Sequence, residues 1–147
     1  MAGSFSYRVE QPSNADPAVL YDVLMDVERW PGFMPTVSAA AWERRGSPDT
    51  GEGGIRRLRM GMLTVREQIV RGMRPHRQTY TMLSNSGLPV IGDYQAEINI
   101  DPRPNGCLIT WTATFASPVP GLGKPLQFVI RAVIARSAAA LARRAEG

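Results

Sequence analysis

Two charged side chains lie where the sequence pattern predicts an apolar, inward-facing surface. The segments Ile55 to Met60 and Leu63 to Val70 alternate like strands. The Gly61-Met62 pair between them suits a type II′ hairpin turn, because glycine takes the first position of that turn. This turn places Arg56 opposite Glu67, on the same face as two apolar cross-strand pairs, Leu58 with Val65 and Met60 with Leu63.

Glu67 is the polar side chain with the clearest chemical potential. A buried carboxyl could act as a general acid or base, with Tyr80 or Tyr94 orienting a carbonyl group. The catalytic candidates are therefore Glu67, Arg56 and Tyr80. The same carboxyl could instead form a structural ion pair with Arg56, or anchor a ligand, because an unpaired buried charge is costly. A register shifted by one residue would place Glu67 in solvent.

Other reactive side chains are sparse. Cys107 is the single cysteine and His76 the single histidine, so the chain has too few soft ligands for a zinc or iron–sulfur site. His76 follows Pro75 in a turn and is expected to be exposed. We therefore predict no metal, no cofactor and no Ser-His-Asp or Cys-His arrangement.

The elements that must position these residues follow from periodicity. Ser4 to Glu10 alternates as a strand, and Pro17 to Asp26 has helical spacing that ends before Trp30-Pro31. Five or six strand-like segments come next. They include Val37 to Arg45 and the hairpin above, and then Arg77 to Leu83, Tyr94 to Ile100 and Leu108 to Phe115. A long helix from about Pro125 to Arg143 ends the chain. This order predicts an α+β fold in which an antiparallel sheet packs on the terminal helix.

The terminal helix combines an apolar stripe with small residues. Its predicted inward residues are Leu126, Val129, Ile130, Val133, Ser137 and Leu141. Alanines such as Ala132, Ala138 and Ala140 fill little volume, so we expect them to leave space between the helix and the sheet. That space is the predicted ligand cavity.

Composition narrows the class of protein. The 147 residues, of which 44% are hydrophobic, suit one domain spanning 1–147. The net charge of +4 comes without a nucleic-acid-binding motif, so we expect no nucleic-acid partner. No signal-peptide pattern and no run of about 18 apolar residues is apparent. The expectation is a cytoplasmic protein that is monomeric or a weak homodimer.

The segment from Asp26 to Pro35 carries the most specific pattern. The segment contributes the motif Asp26-x-Glu28-x-Trp30-Pro31 with Pro35. Three other features accompany it, which are Gly54 before an arginine-bearing strand, Thr110-Trp111 in the last strand, and the closing helix. Together with these three features, the segment resembles the START-like, or Bet v 1-like (SRPBCC), superfamily. Within it, the chain looks like the bacterial polyketide cyclase/dehydrase and lipid-transport group. The resemblance implies a helix-grip fold: a curved seven-stranded antiparallel sheet wrapped around a long C-terminal helix, with two short helices after strand 1.

The resemblance also implies a cavity for a small hydrophobic molecule such as a lipid, polyketide or quinone. The apolar Ser84 to Gly92 segment is a candidate lid or entrance, and methionines would adapt to several ligands. The predicted ligand-binding residues are Trp30, Phe33, Met60, Val65, Glu67, Tyr80, Met82, Leu88, Tyr94, Trp111, Leu126 and Ile130.

Three functions follow. The first is binding or transport of that molecule without catalysis, because the sequence shows no convincing catalytic set. The second is a polyketide aromatase/cyclase or dehydratase using Glu67 and the cavity tyrosines. The third is a partner-binding or quinone-chaperone module, whose footprint would be the outer arginines Arg57, Arg59 and Arg66. The basic terminal helix could also contact a membrane, transiently if at all.

Overall fold

The computed structural model describes residues 3–83 and 91–147. Seven strands form one antiparallel sheet: β1 (Gly3–Ser13), β2 (Ala39–Arg44), β3 (Ile55–Met60), β4 (Leu63–Met73), β5 (Arg77–Met82), β6 (Gly92–Arg103) and β7 (Gly106–Ser117). The helices are α1 (Pro17–Met25), a 3₁₀ helix (Val27–Gly32) and α2 (Gly123–Glu146). The strand order is β1-β7-β6-β5-β4-β3-β2. The predicted α+β helix-grip fold is confirmed.

The β3–β4 hairpin has the register that its turn predicts. Arg56 pairs with Glu67, and Gly61 has a φ of +63°, as the first position of a type II′ turn requires. Arg57 and Arg59 are exposed on the opposite face. Local turn chemistry therefore decides which charged groups enter the core.

β1 extends beyond its predicted end to Ser13 and includes Pro12. Because β1 is an edge strand that pairs with β7 alone, a proline without a backbone donor is tolerated there. The strand thereby carries the chain directly to the start of α1 at Pro17.

The small residues of α2 do not leave the space that the sequence suggested. Ala138, Ala140 and Ala142 are buried, and α2 packs against β1, β7 and α1. Their size lets the C-terminal half of the helix lie close to the sheet. The free volume lies instead beside the N-terminal half, which carries Ile130, Val133 and Ile134.

The N-terminal end of α2 is held close to β1 at Gly123. A Cβ added at this glycine would lie 1.8 Å from Cζ of Phe5, so no larger residue fits without displacing the ring. Phe5 stacks on Phe115 with ring centroids 5.7 Å apart. This contact fixes the position at which α2 begins relative to the sheet.

α2 is long and apolar enough, by length and composition, to pass a test for a membrane-spanning helix, although only 28% of the tested window is buried. The expectation that no such stretch exists was therefore wrong. The core helix of a globular protein can have the same length and apolar composition, and α2 packs against strands of the sheet.

Candidate functional site

A buried ion pair lies at the centre of the concave face. Arg56 is 1% exposed and Glu67 8%. The Nε of Arg56 donates to Oε1 of Glu67 at 2.7 Å, and one terminal nitrogen of Arg56 donates to Oε1 of Gln78 at 2.9 Å. These charge-assisted bonds offset the cost of removing both charges from water. The cross-strand pairing of β3 with β4 places the two partners together.

The guanidinium group of Arg56 also lies over two aromatic rings. Its Cζ is 4.5 Å from the ring centroid of Tyr80 and 5.0 Å from that of Trp30. Trp30 is positioned by the 3₁₀ helix, where its Nε1 donates to the carbonyl oxygen of Val23 at 3.1 Å. The 3₁₀ helix therefore places the aromatic face of Trp30 against the buried cation.

Four aromatic side chains beside this ion pair add further polar groups to the core. The hydroxyl groups of Tyr7 and Tyr94 are hydrogen-bonded to each other, and the Nε1 of Trp111 donates to the Tyr80 hydroxyl at 3.1 Å. The rings of Tyr80 and Tyr94 lie 6.4 Å apart between centroids. Each ring thus contributes an apolar surface and one polar group to the same region.

Burial keeps these phenols protonated. It raises the pKa of Tyr7, Tyr80 and Tyr94 well above the ordinary value, because the phenolate would lose its hydration, and the negative charge of Glu67 acts in the same direction. The tyrosines can therefore donate or accept a hydrogen bond, but they do not supply a phenolate base.

Two adjoining cavities open against this cluster. The larger, about 210 Å³, is lined mainly by apolar side chains of the sheet and α2, with Glu67, Tyr80 and Tyr94 as its polar groups. The smaller, about 50 Å³, is lined by Arg56, Thr36 and Trp111 among others. Glu67 and Tyr80 line both cavities.

Two polar atoms at these cavities have no hydrogen-bond partner among the residues that the structure describes. Oε1 of Glu67 accepts from Arg56, and within residues 3–83 and 91–147 no hydrogen bond to Oε2 is found. The hydroxyl of Thr36 is buried and unpaired in the same part of the chain. A ligand in the larger cavity could reach the carboxylate, and the smaller cavity could accommodate a polar group beside Thr36.

Most of the predicted ligand-binding residues lie together around the two cavities: Trp30, Met60, Val65, Glu67, Tyr80, Met82, Tyr94, Trp111 and Ile130. Phe33 and Leu126 line neither cavity. Arg144 lies over the Phe33 ring at 5.5 Å, and Leu126 packs against the core. Leu88 and the rest of 84–90 lie outside the described residues.

The sequence reasoning missed several residues of the site. Gln78 had a usable signal, since it alternates with Tyr80 on the inward side of β5. Tyr7 alternates with Val9 on the inward side of β1, but no sequence signal indicates its contact with Tyr94, 87 residues away. Thr36 lies in a turn before β2 and had no signal. Val129, placed on the inward stripe of α2, is 56% exposed at the edge of the larger cavity.

The remaining reactive side chains lie elsewhere. His76 is exposed, and burial raises the pKa of the Cys107 thiol, which keeps it unreactive. In the described part of the chain no cluster of three or more His, Cys, Asp or Glu could hold a metal ion. Among the outer arginines, Arg66 pairs with Glu43 through two hydrogen bonds, which neutralises part of the surface suggested for a partner.

The sequence matches the family described as polyketide cyclase / dehydrase and lipid transport over residues 4–146. The chain belongs to this family. Its resemblance to the START-like and Bet v 1-like superfamily is likewise confirmed. Among sequence relatives, an uncharacterized protein of Mycobacterium tuberculosis is 24% identical over 118 residues, which cover 80% of this chain and 68% of that protein.

Solved structures of this family's fold include two aromatase/cyclases. The Zhui aromatase/cyclase from a Streptomyces species superposes with a TM-score of 0.76 at 16% identity, over 99% of this chain and 94% of that one. The di-domain aromatase/cyclase StfQ of the steffimycin biosynthetic pathway gives a TM-score of 0.76 at 14% identity, over 97% of this chain. This chain spans 49% of StfQ's length. At these identities the likeness shows the fold, and the family supports a polyketide cyclase/dehydrase or ligand-binding protein.

Proposed function

We propose that this protein binds a small hydrophobic molecule between the sheet and α2, and that it holds the molecule without catalysis. The observation that carries this proposal is the cavity of about 210 Å³, which is apolar apart from Glu67, Tyr80 and Tyr94. A few polar groups on an apolar wall are typical of a site that orients a ligand.

The dimensions favour a compact ligand. An apolar cavity of about 150 Å³ is large enough to hold benzene, so the larger cavity suits a molecule of one or two rings. A long acyl chain would extend beyond it. The free Oε2 of Glu67 is an acceptor, so the ligand should present a hydroxyl or phenol donor to it. A carboxylate in that position would be repelled.

Binding is favoured over catalysis because Arg56 and the tyrosines are not available for proton transfer. The guanidinium group of Arg56 is tied to Glu67 and Gln78, and the phenols remain protonated. A proton-transfer catalyst needs a group that changes its protonation state near the working pH. The tyrosines do not provide one.

The test compares two neighbouring substitutions on α2. Val133 lines both cavities, whereas Ala132 is exposed. Val133→Phe should fill the cavity and reduce binding of a fluorescent naphthol probe at least tenfold, while Ala132→Phe should leave the affinity within about twofold. Both variants should be checked for folding by circular dichroism. Equal binding by the two variants would place the ligand elsewhere.

The second candidate function is a polyketide cyclase or dehydratase. It is supported by the family match and by the carboxylate of Glu67, which lines both cavities with one oxygen unpaired. In this mechanism Glu67 would move a proton, while Arg56 and Tyr80 would stabilise or orient a substrate carbonyl. Glu67→Gln preserves the shape of the side chain. Turnover of a polyketide substrate by wild-type protein that falls at least about a hundredfold in Glu67→Gln would establish catalysis; undiminished turnover in the variant would exclude Glu67.

A further inference from the structure

Exposed apolar side chains lie at the start of α2 and at the tip of the β3–β4 hairpin. Phe128 is 76% exposed, Val129 56% and Leu122 36%, all at or near the start of α2. Met62, at the tip of the β3–β4 hairpin, is 97% exposed. We call these four residues the α2 patch. Large apolar side chains this exposed, on two separate elements, indicate a contact surface.

The N-terminal half of α2 carries apolar residues on its inner and its outer side, and those on the outer side are interspersed with Lys124 and Arg131. Ile130 and Val133 face the larger cavity, while Pro125, Phe128 and Ala132 are exposed at helical spacing. Within residues 3–83 and 91–147, no element covers this outer side, where Phe128 is 76% exposed.

The α2 patch borders the opening of the larger cavity. Val129 is itself a lining residue, and Met60 and Leu63, which flank the turn containing Met62, line the same cavity. A surface that covers the patch would therefore adjoin the place where a hydrophobic molecule enters or leaves.

The charge around the patch is mainly positive. Residues 102–145 contain no Asp or Glu, although they contain Arg103, Lys124, Arg131, Arg136, Arg143 and Arg144. Lys124 and Arg131 lie beside Phe128 in one surface groove. Neither makes an ion pair with any residue in 3–83 or 91–147. Glu97 also lines this groove, but it pairs with Arg77 at 3.6 Å.

We propose that the α2 patch docks on an anionic lipid surface, where Phe128, Val129, Leu122 and Met62 enter the acyl boundary while Lys124 and Arg131 contact the headgroups. Exposed apolar side chains flanked by basic ones are the combination that interfacial binding requires. A second copy of the chain is a poorer occupant, because pairing two such faces would bring Lys124 and Arg131 close to their own copies, while Glu97, the acid in this groove, is already paired with Arg77.

The experiment is sedimentation of the full chain with vesicles of equal parts phosphatidylcholine and phosphatidylglycerol, compared with vesicles of phosphatidylcholine alone. Binding should be stronger to the anionic vesicles and should weaken as salt is raised. The double variant Met62→Ser/Phe128→Ser should lose about tenfold or more in affinity. Lys124→Gln/Arg131→Gln should lose about twenty-fivefold, roughly fivefold for each cation.

Matched controls separate the patch from general apolarity and charge. Val70→Ser removes another exposed apolar side chain, 52% exposed near the far end of β4. Arg57→Gln/Arg59→Gln removes two positive charges, as many as Lys124→Gln/Arg131→Gln, but from the outer face of the sheet. Both controls should bind vesicles within about twofold of wild type.

Three results would overturn the proposal. The first is equal binding of the wild-type protein to neutral and anionic vesicles. The second is binding of the patch variants to vesicles with the same affinity as their controls. The third is a wild-type protein that does not bind vesicles but forms a dimer, which Phe128→Ser disrupts. The last result would assign the patch to a second copy. Ligand binding measured without vesicles is unaffected by any of these outcomes, so the cavity proposal is tested separately.

Discussion

Replacing Arg56 by Met should cost this protein a large part of its stability. The substitution removes the guanidinium donor to Glu67 at 2.7 Å and the donor to Gln78 at 2.9 Å. The carboxylate of Glu67, which is 8% exposed, then stays buried without its cation. Removing one partner of a buried ion pair typically costs about 3–5 kcal/mol.

Two further observations favour the upper part of that range. Arg56 lies within 5.0 Å of the Trp30 ring centroid and 4.5 Å of that of Tyr80, and desolvated cation–π contacts contribute up to about 2 kcal/mol. A domain of this size loses about 2–4 °C in Tm per kcal/mol. For a cost of about 4–5 kcal/mol, the expected decrease in Tm is therefore about 8–20 °C.

The assay is urea unfolding followed by far-UV circular dichroism, for wild type, Arg56→Met, Glu67→Leu and the double variant. The double variant should be more stable than the sum of the single changes predicts by at least about 2 kcal/mol, because no unpaired charge remains. Arg57→Met, at the neighbouring exposed position, should change stability by less than about 0.5 kcal/mol. A cost below about 1 kcal/mol for Arg56→Met, or strictly additive effects, would refute the reasoning.

Three other changes test the same core. Raising the pH should unfold the protein abruptly, because the pKa of every tyrosine is raised by burial. Stability is then fully present below the unfolded-state pKa of about 10 and falls above it by about 1.4 kcal/mol per pH unit for each tyrosine; phenolate absorbance that rises before the circular dichroism changes would contradict this. Gly123→Ala should destabilise by about 1–3 kcal/mol in thermal unfolding, because the added methyl meets the Phe5 ring, and Phe5→Leu in the same background should recover part of the loss. Thr36→Val should be neutral or stabilising by up to about 1 kcal/mol, because it removes an unpaired hydroxyl; a clear loss of stability in urea would show that a water molecule satisfies that hydroxyl.

Local chemistry made several features predictable. Glycine at the first turn position set the β3–β4 register and hence the pairing of Arg56 with Glu67. The alternation in β6 and β7 likewise identified Tyr94 and Trp111 as buried. These features depend on residues close together in sequence, where turn type and side-chain alternation leave few alternatives.

The location of the cavity was not predictable in the same way. The sequence suggested that the alanines of α2 leave the free space, whereas they let the helix approach β1 and close it. The volume that remains depends on how far β3, β4 and β5 curve away from a helix that packs at the other end of the sheet. Curvature of this kind is a property of the whole packed sheet.

The sequence by itself determined the family, the order of the elements and the pairing of Arg56 with Glu67 on the inward face. Each of these depends on short-range patterns of turn residues, alternation and helical periodicity. Only the tertiary structure decided that Trp30 and Tyr80 enclose the cation, that Tyr7 contacts Tyr94, and that the start of α2 stays apolar on its exposed side. Those outcomes join residues far apart in the chain, and their geometry is fixed only when the sheet and α2 pack together.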